Sequence, residues 1–190
     1  QKLLASSQII YGSMDSVELL DADPEKGAFM SPLLLLNEHP FKGEASHSIE
    51  AFGPVSTLMP YKNMEEAIAL AKKGKGSLCS TIVTADDGMA KHYVIAAATH
   101  HGRILILNRD CAKESTGHGS PLPMLVHGGP GRAGGGEEMG GARGVKHYMQ
   151  RVAIQGSPTS ITAVTSVYQP HSKQTTGVKH PFKKYFGELQ

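Results

Sequence analysis

The chain has no apolar run near the roughly 20 residues that cross a bilayer, and nothing at its start reads as a secretory signal. Its formal charge of +2 is too small to argue for nucleic acid or an anionic membrane as partner. The two cysteines, Cys79 and Cys111, have no metal-ligand spacing and need not pair, so a reducing cytoplasm is the expected compartment. No convincing zinc spacing occurs, and the adjacent His100 and His101 point in different directions. What remains is ordinary globular composition, 39% hydrophobic and 19% charged over 190 residues, enough for one full core with an appendage.

Order along the chain predicts an α/β fold. Gln8-Ile9-Ile10-Tyr11 reads as a short strand closed by Gly12, and Leu33 to Leu36, bracketed by Pro32 and Pro40, as a buried one. Val55 to Met59 is a third. Asn63 then caps a helix, with Glu66 placed for a capping box and Met64, Ala67, Ile68 and Ala71 on one stripe. A strand over Leu78 to Val83 follows, then a helix capped by Asp86 or Asp87 with Met89, Tyr93, Ala96 and Ala97 on one face. His100-His101-Gly102 is its expected stop, and Arg103 to Leu107 the next strand. Strands and helices alternating over short links predict parallel pairing. A long glycine-rich loop occupies 109–141, helical character returns near Ala142 to Gln150, and Val152 to Ile154 and Ser160 to Val167 read as strands.

Chemistry concentrates at two places. In Glu50-Ala51-Phe52-Gly53-Pro54 a carboxylate and an aromatic ring precede a strand. The carboxylate can accept hydrogen bonds from two neighbouring ribose hydroxyls, and the ring can pack on a flat nicotinamide. Cys111 lies near Arg109 and Lys113, which could lower its pKa, and His118 could serve as its base if the loop folds back. The cluster Gly129-Pro130-Gly131-Arg132-Ala133-Gly134 fails as a dinucleotide turn, because no strand runs into it and no helix opens from it.

These residues, in this order, resemble the C-terminal part of the aldehyde dehydrogenase superfamily. Glu50 to Val55 looks like its E-x-F-G-P-V segment, and the elements through Asn108 fit its catalytic domain. More narrowly, Lys113 to Pro123 and His127 to Glu138 resemble the bifunctional ring-opening proteins of bacterial phenylacetate degradation. There an aldehyde dehydrogenase module precedes a hydratase that opens an oxepin-CoA ring.

The resemblance implies a three-layer α/β/α domain with a mostly parallel sheet. It implies a division into 1–150, the C-terminal part of the catalytic domain; 151–168, strands that add to a partner subunit's sheet; and 169–190, a linker toward an absent hydratase. Glu50 would hold the nicotinamide ribose of NAD or NADP and Phe52 would flank the nicotinamide. Asn108, Ser115, Thr116 and His118 would border the entrance for an aldehyde linked to CoA. A homo-oligomer is expected, with no nucleic acid and no membrane as partner. The family's catalytic cysteine and general base lie upstream of the matched region, and neither Cys79 nor Cys111 aligns with that nucleophile. By itself the chain is expected to be inactive. Two other readings stand beside this one: a non-catalytic dimerisation or binding domain, and a small hydrolase using Cys111 and His118.

Overall fold

The computed structural model describes residues 1–15, 17–115, 117–118, 128–135, 146 and 148–181. The chain divides into two compact units, 1–70 and 71–190.

In the first unit, β1 (Gln8–Tyr11), β2 (Leu33–Leu36) and β3 (Val55–Leu58) form a three-stranded sheet in that order. β1 runs antiparallel to β2, with an irregularity between Ile9 and Tyr11, and β3 runs parallel to β2. The four leucines of β2 alternate buried and half-buried, with Leu33 and Leu35 in the core, as a central strand requires. Gly12 turns the chain out of β1 at φ +87°, where a Cβ would stand 2.1 Å from the Pro32 carbonyl oxygen. A short helix, α1 (Ala45–Ser48), precedes β3. α2 (Met64–Lys73) is capped as its sequence predicts: the Asn63 side chain accepts from Glu66 N at 2.9 Å. The returning bond reaches one residue further back, from Lys62 N to Glu66 Oε2 at 2.8 Å.

In the second unit, β4 (Ser77–Val83), β5 (His101–Leu107) and β6 (Ala153–Gln155) form a parallel sheet in that order. α3 (Asp87–Ala97) carries the chain from β4 to β5, and its N-cap is Asp86, whose carboxylate accepts from Gly88 N and Met89 N at 2.8 and 3.0 Å. Its buried face is Ala90, Tyr93, Val94 and Ala97, a quarter-turn away from the expected stripe, and Met89 stays exposed. These side chains form a core with Ile104 and Ile106 of β5 and Val164. The α/β class and the mostly parallel pairing are therefore those the sequence predicts.

One local expectation is corrected. Ser160 to Val167 is not a strand: Pro158–Thr165 is a helix, α4, packed on α3. Ser157 caps it, accepting from Ser160 N at 3.2 Å, and Pro158 sits in its first turn. The β-branched residues that suggested a strand yield to this cap and to packing, since propensity is a weak prior against tertiary contacts. Within 151–168, expected to add strands to a partner subunit's sheet, β6 pairs with β5 of its own chain. The helical run stops where expected: a 3-10 turn over Ala98–His100 closes α3, with His101 as its C-cap. His101 also opens β5 and is 3% exposed. Of the helix expected over 142–150, residues 142–145 and 147 lie outside the described residues.

The glycine-rich cluster is a packed loop. Gly131–Ala133 makes a single 3-10 turn, and Arg132 N donates to Lys75 O at 3.1 Å just ahead of β4. Contact there is backbone to backbone: a Cβ on Gly102 would lie 1.8 Å from Gly128 O. Glycine is needed for this approach, not for a phosphate.

Candidate functional site

Glu50 and Phe52 belong to the first unit, on the short connection between α1 and β3. Gly53 N donates to Ala51 O and Val55 N to Gly53 O, both at 2.8 Å, so tight turns carry the segment into the strand. Both side chains face solvent, Phe52 at 95% exposure, and among the described residues Glu50 has no hydrogen-bond partner. An unspent carboxylate can accept from a ribose diol, and the uncovered ring beside it can pack on a flat ring attached to that ribose. Phe52 also lies on the wall of a 220 Å³ cavity shared with Leu3, Leu4, Ile9, Met30 and Leu33. A second, polar cavity of 350 Å³ opens at the carboxyl end of β2, beside Ser6, Asn37, His39 and Lys42.

Asn108, Ser115, Cys111 and His118 belong to the second unit. After β5 the chain coils once: Ala112 N donates to Asn108 O at 2.9 Å and Ser115 N to Cys111 O at 2.8 Å. A 280 Å³ cavity sits at the carboxyl ends of β5 and β6, lined by Asp110, Cys111, Glu114, Ser115, Gln155 and Ser157 among others. Open parallel sheets bind ligands at this end.

Asn108 uses both ends of its amide. Nδ2 donates to Ser160 Oγ at 3.0 Å and Oδ1 accepts from Asp110 N at 3.0 Å. Ser160, 1% exposed, passes the chain on to Asp87 Oδ1 at 2.8 Å, so β5, α3 and α4 meet in one half-buried polar knot. Nothing in the sequence pattern linked Asp87 to Ser160, which lie 73 residues apart.

His118 folds back across the sheet, but not onto Cys111. Its Nε2 lies 3.1 Å from Ser80 O and 2.9 Å from Thr81 Oγ1, and Arg103 Nη2 donates to its main-chain oxygen at 3.1 Å. A carbonyl only accepts, so Nε2 carries the proton and Nδ1 is the bare nitrogen, buried without a partner among the described residues. Burial lowers the imidazole pKa, the Ser80 carbonyl works against that shift, and nearby Arg103 adds to it. The Cys111 thiol donates instead to Ile106 O at 3.4 Å. The Cys111–His118 hydrolase therefore lacks its dyad. Thr116 lies outside the described residues.

Among the described residues no group of three His, Cys, Asp or Glu could hold a metal ion, and no helix is long and apolar enough to cross a membrane.

A free carboxylate and ring on the approach to β3 are suited to nucleotide-linked chemistry. Residues 5–154 match the aldehyde dehydrogenase family, and the chain belongs to that family. It is 55% identical over 164 residues to Protein MaoC of Klebsiella aerogenes, covering 86% of this chain and 49% of that protein. It is 33% identical over 129 residues to 3,4-dehydroadipyl-CoA semialdehyde dehydrogenase of Aromatoleum evansii, covering 68% of this chain and 25% of the relative. A putative aldehyde dehydrogenase of Staphylococcus epidermidis is 28% identical over 150 residues. The chain thus spans about half of the first relative and about a quarter of the second.

Proposed function

We propose that the chain is the cofactor- and substrate-positioning part of an NAD(P)-dependent aldehyde dehydrogenase that oxidises a CoA-linked semialdehyde to its acid in aromatic catabolism, of the phenylacetate type. The observation that carries this is the family match over 5–154 together with Glu50 and Phe52 standing uncommitted before β3. The semialdehyde class is supported by the name of the Aromatoleum relative.

In this reading Glu50 accepts from the ribose hydroxyls and Phe52 flanks the nicotinamide. The cofactor, once bound, supplies a hydride acceptor. Ser115 on the cavity wall, with Asn108 and His118 at the two ends of the loop that bears it and Thr116 between, borders the aldehyde and acyl-CoA entrance. The nucleophilic thiolate and the general base come from another part of the enzyme. Cys111 does not fit the part, since its thiol is spent on a main-chain carbonyl and has no base beside it. The working enzyme is a homo-oligomer, which concentration-dependent size-exclusion elution tests.

Glu50→Gln tests the cofactor assignment. A hydrogen bond involving a charged group contributes about 1.5–3 kcal/mol, so cofactor affinity or turnover in the intact enzyme should fall about tenfold or more. Cofactor titration and steady-state kinetics that both match wild type would remove Glu50 from the site.

A further inference from the structure

Arg103 takes no part in that reading, yet it holds an unusual position. It lies two residues into β5 and is only 8% exposed. Register pairs it with Cys79, and pairs Thr81 with Leu105 and Leu105 with Gln155, so these side chains share one face of the sheet. The opposite face belongs to α3, whose Tyr93 hydroxyl hydrogen-bonds Ser80 Oγ. A guanidinium withdrawn from water calls for acceptors, and an apolar side chain would pack there at less cost. Among the described residues its one hydrogen bond runs from Nη2 to the main-chain oxygen of His118, and Nε has no partner. No carboxylate among them pairs with it.

The same His118 sends its imidazole to β4, onto Ser80 O and Thr81 Oγ1. One residue is thus held twice, by its backbone from β5 and by its ring from β4. The far end of the loop is tied by Asn108 to Ser160. Ser115 on the cavity wall lies between these two anchorages. A buried charge spent on fixing one loop residue is poorly explained by stability alone.

We propose that Arg103 is a positioning residue for the substrate: it clamps the His118 end of the entrance loop to the sheet and so sets where Ser115 stands for the CoA-linked part of the aldehyde. The substrate half of this inference rests on the function proposed above, whereas the clamp itself does not.

The test uses Arg103→Met in the intact enzyme, with Arg103→Lys as the variant that keeps a cationic donor and Thr81→Val as one that loosens the ring without touching the charge. For Arg103→Met, KM for a CoA-linked semialdehyde should rise about tenfold, as expected for loss of a charged hydrogen bond. Its kcat, the cofactor Kd and the kcat/KM for a short aldehyde without CoA should stay within about twofold. Arg103→Lys should recover part of the KM. Amide exchange across 111–118 should quicken in Arg103→Met and, more weakly, in Thr81→Val, while β4 and β5 stay protected. A folded Arg103→Met enzyme with wild-type KM would overturn the proposal, as would equal losses on both aldehydes. A wild-type enzyme with no preference for the CoA-linked aldehyde would overturn the substrate assignment instead, and the exchange rates alone would then uphold or overturn the clamp.

Discussion

Two imidazoles in the second unit are held neutral by their surroundings. His101 is buried at the start of β5, its Nδ1 2.6 Å from Ser77 Oγ and its ring stacked on Tyr93 at 6.4 Å between centroids. Burial lowers its pKa from the ordinary 6.5, and His100 beside it adds to the shift. His118 is shifted the same way, mainly by burial. The unfolded chain therefore takes up protons on these residues that the folded chain refuses. Their contribution to stability is full above about pH 6.5 and falls with pH until each folded pKa is reached. Denaturant midpoints measured from pH 7.5 down to 5 should decline, and His101→Gln should flatten the decline. A midpoint independent of pH over that range would show that neither ring is held neutral. Cys111 makes a complementary case, since a thiol engaged with Ile106 O and lacking a base should alkylate no faster than a free thiol near pH 7.

At the scale of elements, α4 shows how much a cap can decide. Its first turn is fixed by Ser157, which is 4% exposed and bonded to both Ser160 N and Ser160 Oγ. Ser157→Ala should cost about 1 kcal/mol as an N-cap loss, with more where the buried Ser160 hydroxyl loses a neighbour. Thermal denaturation checks this, and an unchanged Tm would mean the helix start is held by packing alone. Gly102→Ala is a harsher change, because its Cβ would meet backbone oxygen and no flexible side chain could give way. It should destabilise by about 1–3 kcal/mol or more and loosen the 128–135 loop from the start of β4.

Legibility differs sharply between these elements. Asn63, Asp86 and the stripe on α2 were readable because each depends on neighbours two to four residues away. The helix at Pro158–Thr165 was not, because Thr159, Ile161, Thr162, Val164 and Thr165 favour strands locally and only docking on α3 outweighs that. The candidate site divides the same way. Glu50 and Phe52 were visible as a contiguous motif, whereas the Asp87–Ser160–Asn108 knot and the Arg103–His118 clamp join residues 15 to 73 positions apart.

For the molecule as a whole, the proposed function gives a direct test. Mixed with NADP and a long-chain aldehyde, the chain by itself should produce no reduced cofactor by absorbance, since in the proposed reading the nucleophile lies elsewhere in the enzyme and the Cys111 thiol is engaged with Ile106 O. Measurable turnover would overturn that division of labour and make Cys111→Ser the next experiment. The sequence by itself determined the family, the order of strands and helices from β1 to β5, and the contiguous carboxylate and ring, because these follow from local pattern and a contiguous motif. Only the tertiary structure decided that His118 serves β4 and Arg103 in place of Cys111, that Asn108 is bound into a half-buried network, and that residues 158–165 are helical. Each of those outcomes depends on which distant groups meet inside a packed unit, where an unsatisfied polar atom is costly enough to choose the partner.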